Sequence, residues 1–130
     1  MYLLDTTAII ELFRGDTQVK EILERKRNDC AATSVSYLEI FTRIYHKELK
    51  KEKKYFTQFF SSTPIYFFDL KAAEESSKLM SSLYNRGTPI NLADVMIAGI
   101  GIANKAQGII TKDGDFKEVK AVSDIDILFI

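Results

Sequence analysis

Residues 2–15 read YLLDTTAIIELFRG, and the order of three features in this stretch decides the fold. An apolar burst too short for a helix, YLL, ends in a carboxylate at Asp5. From residue 6 onward Ile9, Ile10, Leu12 and Phe13 recur at helical spacing until Gly15, a natural stop. A short, wholly apolar strand is the type that a parallel sheet buries on both faces. A helix follows it at once, which is how such a sheet begins.

The same alternation continues along the chain. Asp16 caps a helix over residues 17–28, with Val19, Ile22 and Leu23 on one face and charges on the other. Residues 30–33 form a second strand. Ser34 or Ser36 opens a long helix running through residues 36–49, and residues 47–60 are a second helix or an extension of it. Pro64 breaks the pattern before a third strand, residues 65–68, which ends at Asp69. Asp69 caps a helix over residues 70–87, with Gly87 as its end, and Asn91 caps another over residues 92–106. GIIT, residues 108–111, is a fourth strand; KDGDF, residues 112–116, is a turn; ILFI, residues 127–130, is a fifth strand. The expected architecture is a three-layer α/β/α sandwich around a mostly parallel central sheet. With 130 residues, the expectation is one domain over residues 1–130.

Composition narrows the function. Hydrophobic residues make up 46% and charged residues 28%, a globular balance, and 18 basic side chains cancel 18 acidic ones. A zero net charge argues against a general polyanion binder, while leaving room for a nuclease whose acids are gathered in one place. The single cysteine, Cys30, sits in the apolar segment CAATSV and reads as a small buried hydrophobe. The single histidine, His46, has no second His or Cys at ligand spacing, so neither a common zinc site nor a Ser-His-Asp triad is supported. The start MYLLDTTAII lacks the pattern of a signal peptide, and no apolar run approaches the ~20 residues of a membrane helix. The expectation is a soluble, cytoplasmic protein with no membrane partner.

Four acids stand out by position, although each has a local role. Asp5 can cap the first helix by accepting the N–H of Thr7 or Ala8. Glu39 follows Ser36 by three residues, the spacing of a capping box. Asp94 lies in the first turn after Asn91, where an acid complements the helix dipole by about 0.3–1 kcal/mol. Asp113 precedes Gly114 in a common turn pair. In a parallel α/β sheet, however, the carboxyl ends of all strands share one edge, and ligands bind there. Four carboxylates at that edge would repel by about 4 kcal/mol per pair at ~4 Å and an effective dielectric of ~20. Protonation can relieve this, since crowded carboxyls have raised pKa values. A divalent cation relieves it productively, and all-oxygen ligands select Mg²⁺ or Mn²⁺.

Such a site activates water for attack on a phosphodiester, so RNA or DNA is the implied substrate class. Neither a Walker-type phosphate loop nor G-x-G-x-x-G is present, and the pair Gly99 and Gly101 inside a helical segment suits close helix–sheet packing. Residues 47–54 carry five lysines against two glutamates. Lys47, Lys50, Lys51, Lys53 and Lys54 are either a solvated helix face or a phosphate-contacting surface.

The ordered set LLDTTAII, SYLE, LADVMIAGIGIA and IITKDGDF resembles the motifs of PIN-domain proteins, and among them the short VapC-type toxins of prokaryotic toxin–antitoxin pairs. The resemblance covers essentially the whole chain. It implies a Mg²⁺- or Mn²⁺-dependent endoribonuclease whose catalytic, metal-binding acids fall on Asp5, Glu39, Asp94 and either Asp113 or Asp115. Thr7 and Thr111 match positions where such proteins often carry hydroxyls near the site. It further implies a homodimer and a cognate antitoxin that presents a basic side chain to the acidic pocket. Phe56, Phe59 and Phe60 are candidates for partner contacts or for plain core packing. Rival readings are a housekeeping nuclease of RNA processing or decay, which genomic context would separate, and a catalytically silent adaptor, for which retention of all the acids is unexplained. A receiver-type domain would also gather acids at this edge, but Asp69 with Lys112 fits its phosphoacceptor and lysine poorly.

Overall fold

The computed structural model describes residues 1–26 and 29–130. Five strands, β1 (Tyr2–Leu4), β2 (Cys30–Thr33), β3 (Ile65–Tyr66), β4 (Gly108–Thr111) and β5 (Asp126–Phe129), form one sheet in the order β3-β2-β1-β4-β5. All four pairings are parallel, so the sheet is parallel throughout. The chain builds outward from β1 to β3, then returns to lay β4 on the other side of β1. That reversal between β1 and β4 is the topological switch point, where α/β sheets open a crevice at their carboxyl edge.

Neighbouring residues of each inner strand point to opposite faces, and each face has its own core. Leu3, Ala31 and Ile109 pack with α5 (Leu70–Arg86), α6 (Leu92–Ala103) and α7 (Phe116–Val122). Leu4, Ala32 and Ile110 pack with α1 (Thr6–Phe13), α3 (Ser34–Lys47) and α4 (Lys50–Ser61), with Ile22 and Leu23 of α2 (Thr17–Arg25) against their edge. The three expected layers follow. Phe56 and Phe60 belong to this second core, with Phe59 partly buried against it, so packing is their use.

The caps are local and sit where side-chain chemistry places them. Asp16 accepts from Val19 N–H at 3.1 Å, Asp69 from Ala72 N–H at 2.9 Å and Asn91 from Ala93 N–H at 2.8 Å. Gly87 ends α5 in the left-handed region at φ 76°, which costs glycine nothing. Residues 27 and 28, the end of the expected second helix, lie outside the described residues. Elsewhere the structure departs from expectation. Thr33, not Ser34 or Ser36, caps α3, accepting from Ser36 N–H at 3.1 Å. Glu48 in the left-handed conformation ends α3, so α3 and α4 are separate helices. β3 pairs over two residues only, because β2 offers it a partner only at Ala32 and Thr33. Finally, Phe116 begins α7, a helix absent from the expected alternation. Its side chain is fully buried among the α5–α6 face, and seven residues carry too little periodicity to announce a helix.

Gly99 separates helix–helix from helix–sheet packing. A Cβ there would collide with Ser76 Oγ and lie 2.8 Å from the Ala72 carbonyl of α5, whereas Gly101 faces Leu3 of β1 and Ile125. The small residues of α6 therefore let it approach α5 and the sheet together. Asp94 stands in the first turn of this closely packed helix.

Candidate metal centre

Asp5 follows β1 and is 1% exposed. Its carboxylate caps α1, accepting from the Thr7 N–H, from the Thr7 hydroxyl at 2.8 Å and from the Thr111 hydroxyl. Burial pushes its pKa up, and the hydrogen bonds from Thr111 and Thr7 oppose that shift. Both threonines marked in the sequence thus serve one carboxylate. They also hold the neighbouring loop: Thr7 Oγ1 accepts from Lys112 N–H and Thr111 Oγ1 from Asp113 N–H, each at 2.9 Å.

Asp94, Asp113 and Asp115 come together where α6 begins and β4 ends. One carboxylate oxygen from each lies within 4.8 Å of the others. Asp113 Oδ1 accepts from Asp115 N–H at 2.9 Å, closing a tight turn that aims both side chains the same way. Asp113 and Asp115, alternatives in the sequence, are therefore brought to Asp94 together. The Asp94 carboxyl is pushed up to about 8, first by burial, then by the charges of Asp113 and Asp5, a hydrogen bond with Asp113 and the charge of Glu39. The other three acids expected to meet, Asp113, Asp5 and Glu39, all act electrostatically on Asp94, although Asp5 and Glu39 lie outside the tight trio.

Glu39 is half-buried in the second turn of α3 and is not part of a capping box, because Thr33 displaces Ser36 from the cap position. Its Oε1 accepts instead from the Thr6 hydroxyl at 2.7 Å. Thr6 is the site residue that sequence reasoning missed. The only signal was a second hydroxyl in LLDTT, immediately after Asp5.

Lys47, Lys50, Lys51, Lys53 and Lys54 are all exposed and lie elsewhere. Lys53 Nζ rests 5.2 Å over the Tyr45 ring, while Phe60 packs against Tyr37, so α3 and α4 run antiparallel with the lysines at the far end from Glu39. Lys47 lies about 12 Å along α3 from Glu39 at 1.5 Å per residue.

The donor set fits a hard divalent cation. It is all oxygen, the ligand type that Mg²⁺ and Mn²⁺ take, with one oxygen from each of three carboxylates within 4.8 Å of the others. A cation there would offset the charge that burial and the neighbouring acids disfavour on Asp94.

Comparisons with known proteins agree with the fold. The chain is similar over nearly its whole length to VapBC2 of Rickettsia felis bound to a promoter DNA fragment, at 21% identity and a TM-score of 0.87, covering 99% of this chain and 98% of that one. DNA-bound VapBC of Salmonella typhimurium matches at 21% identity and TM-score 0.80, covering 97% and 95%. FitAcB of Neisseria gonorrhoeae matches at 21% and 0.78, covering 98% and 96%. At such identities the likeness speaks for the fold. No curated protein matches by sequence. The PIN domain matches residues 2–122, from the first residue of β1 to the last of α7, and the chain belongs to the PIN-domain family.

Proposed function

We propose that this protein is a Mg²⁺- or Mn²⁺-dependent endoribonuclease, acting as one domain over residues 1–130, and the toxin of a cytoplasmic toxin–antitoxin pair. One observation carries the reading: Asp94, Asp113 and Asp115 each offer a carboxylate oxygen within 4.8 Å of the others, and burial with the charges of Asp113, Asp5 and Glu39 pushes Asp94 up to about 8. Carboxylates this close repel one another, and a cation relieves that repulsion. Asp94, Asp113 and Asp115 would hold the cation, with Asp5 and Glu39 completing its surroundings. The bound cation would lower the pKa of a coordinated water and offset charge developing on the phosphate. Asp5, held by the Thr7 and Thr111 hydroxyls, would keep its carboxylate fixed beside the cation, and the phosphodiester would approach from the carboxyl edge of the sheet. The exposed lysines of the α3–α4 tip are suited to phosphates further along an RNA strand. Among the described residues no helix is long and apolar enough to cross a membrane.

The homodimer has its own support. Leu70 is 87% exposed, Phe67 67%, and Leu38 and Leu92 each 63%. Large apolar side chains left open are what an interaction surface uses. The antitoxin reading draws on the solved neighbours, which were determined as toxin–antitoxin complexes, and on the acidic pocket, which a basic side chain would fill.

Purified protein incubated with tRNA, rRNA and mRNA in Mg²⁺, Mn²⁺ or EDTA tests the activity. Metal-dependent cutting that disappears in Asp94→Asn is expected. Absence of cutting in either metal, from folded protein free of inhibitor, would favour the silent-adaptor reading. Leu70→Glu with Leu92→Glu should convert a dimer to a monomer by light scattering.

A further inference from the structure

Glu39 is the one member of the acidic group whose position depends on a long, rotatable side chain. We infer that Thr6 is its positioning residue: the Thr6 hydroxyl, oriented by Ser36, holds the Glu39 carboxylate toward the cluster formed by Asp5, Asp94 and Asp113. This rests on the metal-site reading above and adds a residue to it.

The geometry has a defined polarity. Thr6 Oγ1 lies 2.7 Å from Glu39 Oε1 and 2.9 Å from Ser36 Oγ. A hydroxyl has one proton, and a carboxylate only accepts, so Thr6 donates to Glu39 and accepts from Ser36. Ser36 is fully buried, and its own N–H is bonded to Thr33 Oγ1 at 3.1 Å, so its hydroxyl is anchored in the cap of α3. The relay runs from Ser36 through Thr6 to Glu39, and every proton is accounted for.

Its placement joins two acids from different strands. Asp5 and Thr6 are consecutive residues where β1 passes into α1, whereas Glu39 belongs to the helix that leaves β2. Asp5 takes its hydrogen bonds from Thr7 and Thr111, leaving the Thr6 hydroxyl for Glu39 alone. One short stretch of backbone therefore fixes the separation of Asp5 and Glu39. Without that bond, Glu39 would be free to rotate towards solvent, away from the cation site.

The test is Mn²⁺ binding to the full chain, read from the electron paramagnetic resonance of free Mn²⁺, with melting followed by circular dichroism. The set comprises wild type, Thr6→Val, Thr6→Ser, Glu39→Gln and the Thr6→Val, Glu39→Gln pair. Thr6→Val should weaken Mn²⁺ binding about 10-fold, as loss of an outer-sphere partner does. Thr6→Ser should restore it to within about 2-fold, a margin for the one methyl it lacks. In the Glu39→Gln background Thr6→Val should change nothing further. If Thr6→Val does not fold, Ser36→Ala removes the upstream donor and should weaken binding in the same direction. Unchanged affinity in Thr6→Val, or an equal loss with and without Glu39, would overturn the positioning role while leaving the metal centre standing. A wild type that binds no Mn²⁺ would overturn the metal reading and this inference with it.

Discussion

Asp5 and Asp94 stand at the same sheet edge and burial pushes both carboxyls up, but their neighbours act in opposite directions. At Asp5 a backbone N–H and two hydroxyls donate to the carboxylate and oppose the effect of burial. At Asp94 burial and then the charges of Asp113, Asp5 and Glu39 all push the same way, up to about 8. The first has hydrogen-bond donors aimed at its carboxylate. The second is left with a charge that a proton or a cation must balance. In the proposed mechanism this difference gives Asp5 a pre-organising part and Asp94 the capture of the ion.

The most severe way to break this contrast is to neutralise each acid. Asp94→Asn and Asp5→Asn should each reduce RNA cleavage by more than about 100-fold, the upper end of what an outer-sphere partner contributes. Both should retain the fold, since Asn caps helices as well as Asp at position 5 and Asp94 is not a cap. Full activity in either variant, measured on the same RNA pool, removes that acid from the mechanism. Next in size, Thr111→Val takes one donor from buried Asp5, which should lower cleavage about 10–100-fold. It should also cost about 1–3 kcal/mol in urea unfolding, because an acceptor is left unpaired.

The pH dependence of stability sharpens the comparison further. Asp94 folded holds its proton up to about 8, far above its ordinary 3.8. Between those values the unfolded chain has already released the proton, so the folded state binds more protons and loses stability as pH rises. Melting of metal-free protein should therefore fall from pH 5 to pH 8, and Asp94→Asn should reduce the slope. Saturating Mn²⁺ should reverse the trend, because the cation competes with the proton. A melting temperature independent of pH over that window, in both proteins, would contradict the crowding described here. The smallest effect belongs to the far end of α4. Lys53→Ala or Lys54→Ala should lower the salt dependence of RNA affinity by about 0.7 in log–log slope for each phosphate no longer neutralised. Mn²⁺ binding should be unaffected.

What was legible beforehand follows the range of the interactions. Asp16, Asp69 and Asn91 are caps because a short polar side chain reaches an N–H two or three residues ahead, and that geometry is written in neighbouring positions. The same local logic misplaced the start of α3, where Thr33, Ser34 and Ser36 all offer a hydroxyl. Only the end of β2 decides that Thr33 takes the cap. α7 escaped notice because its buried residues, Phe116 and Val119, answer to a face built by α5 and α6.

The amino-acid sequence by itself determined the alternation of strand and helix, the side-by-side apolar residues that make two cores, and the placing of acids just beyond strands or at helix starts. These depend on periodicity and on contacts a few residues long. Only the tertiary structure decided that β4 lies beside β1, that Asp94 meets both Asp113 and Asp115, and that Glu39 answers to Thr6 rather than to Ser36. Those partners are separated by about twenty to more than a hundred residues. Their meeting depends on strand order and on the closeness that Gly99 permits between α5 and α6, and neither is encoded in any local stretch.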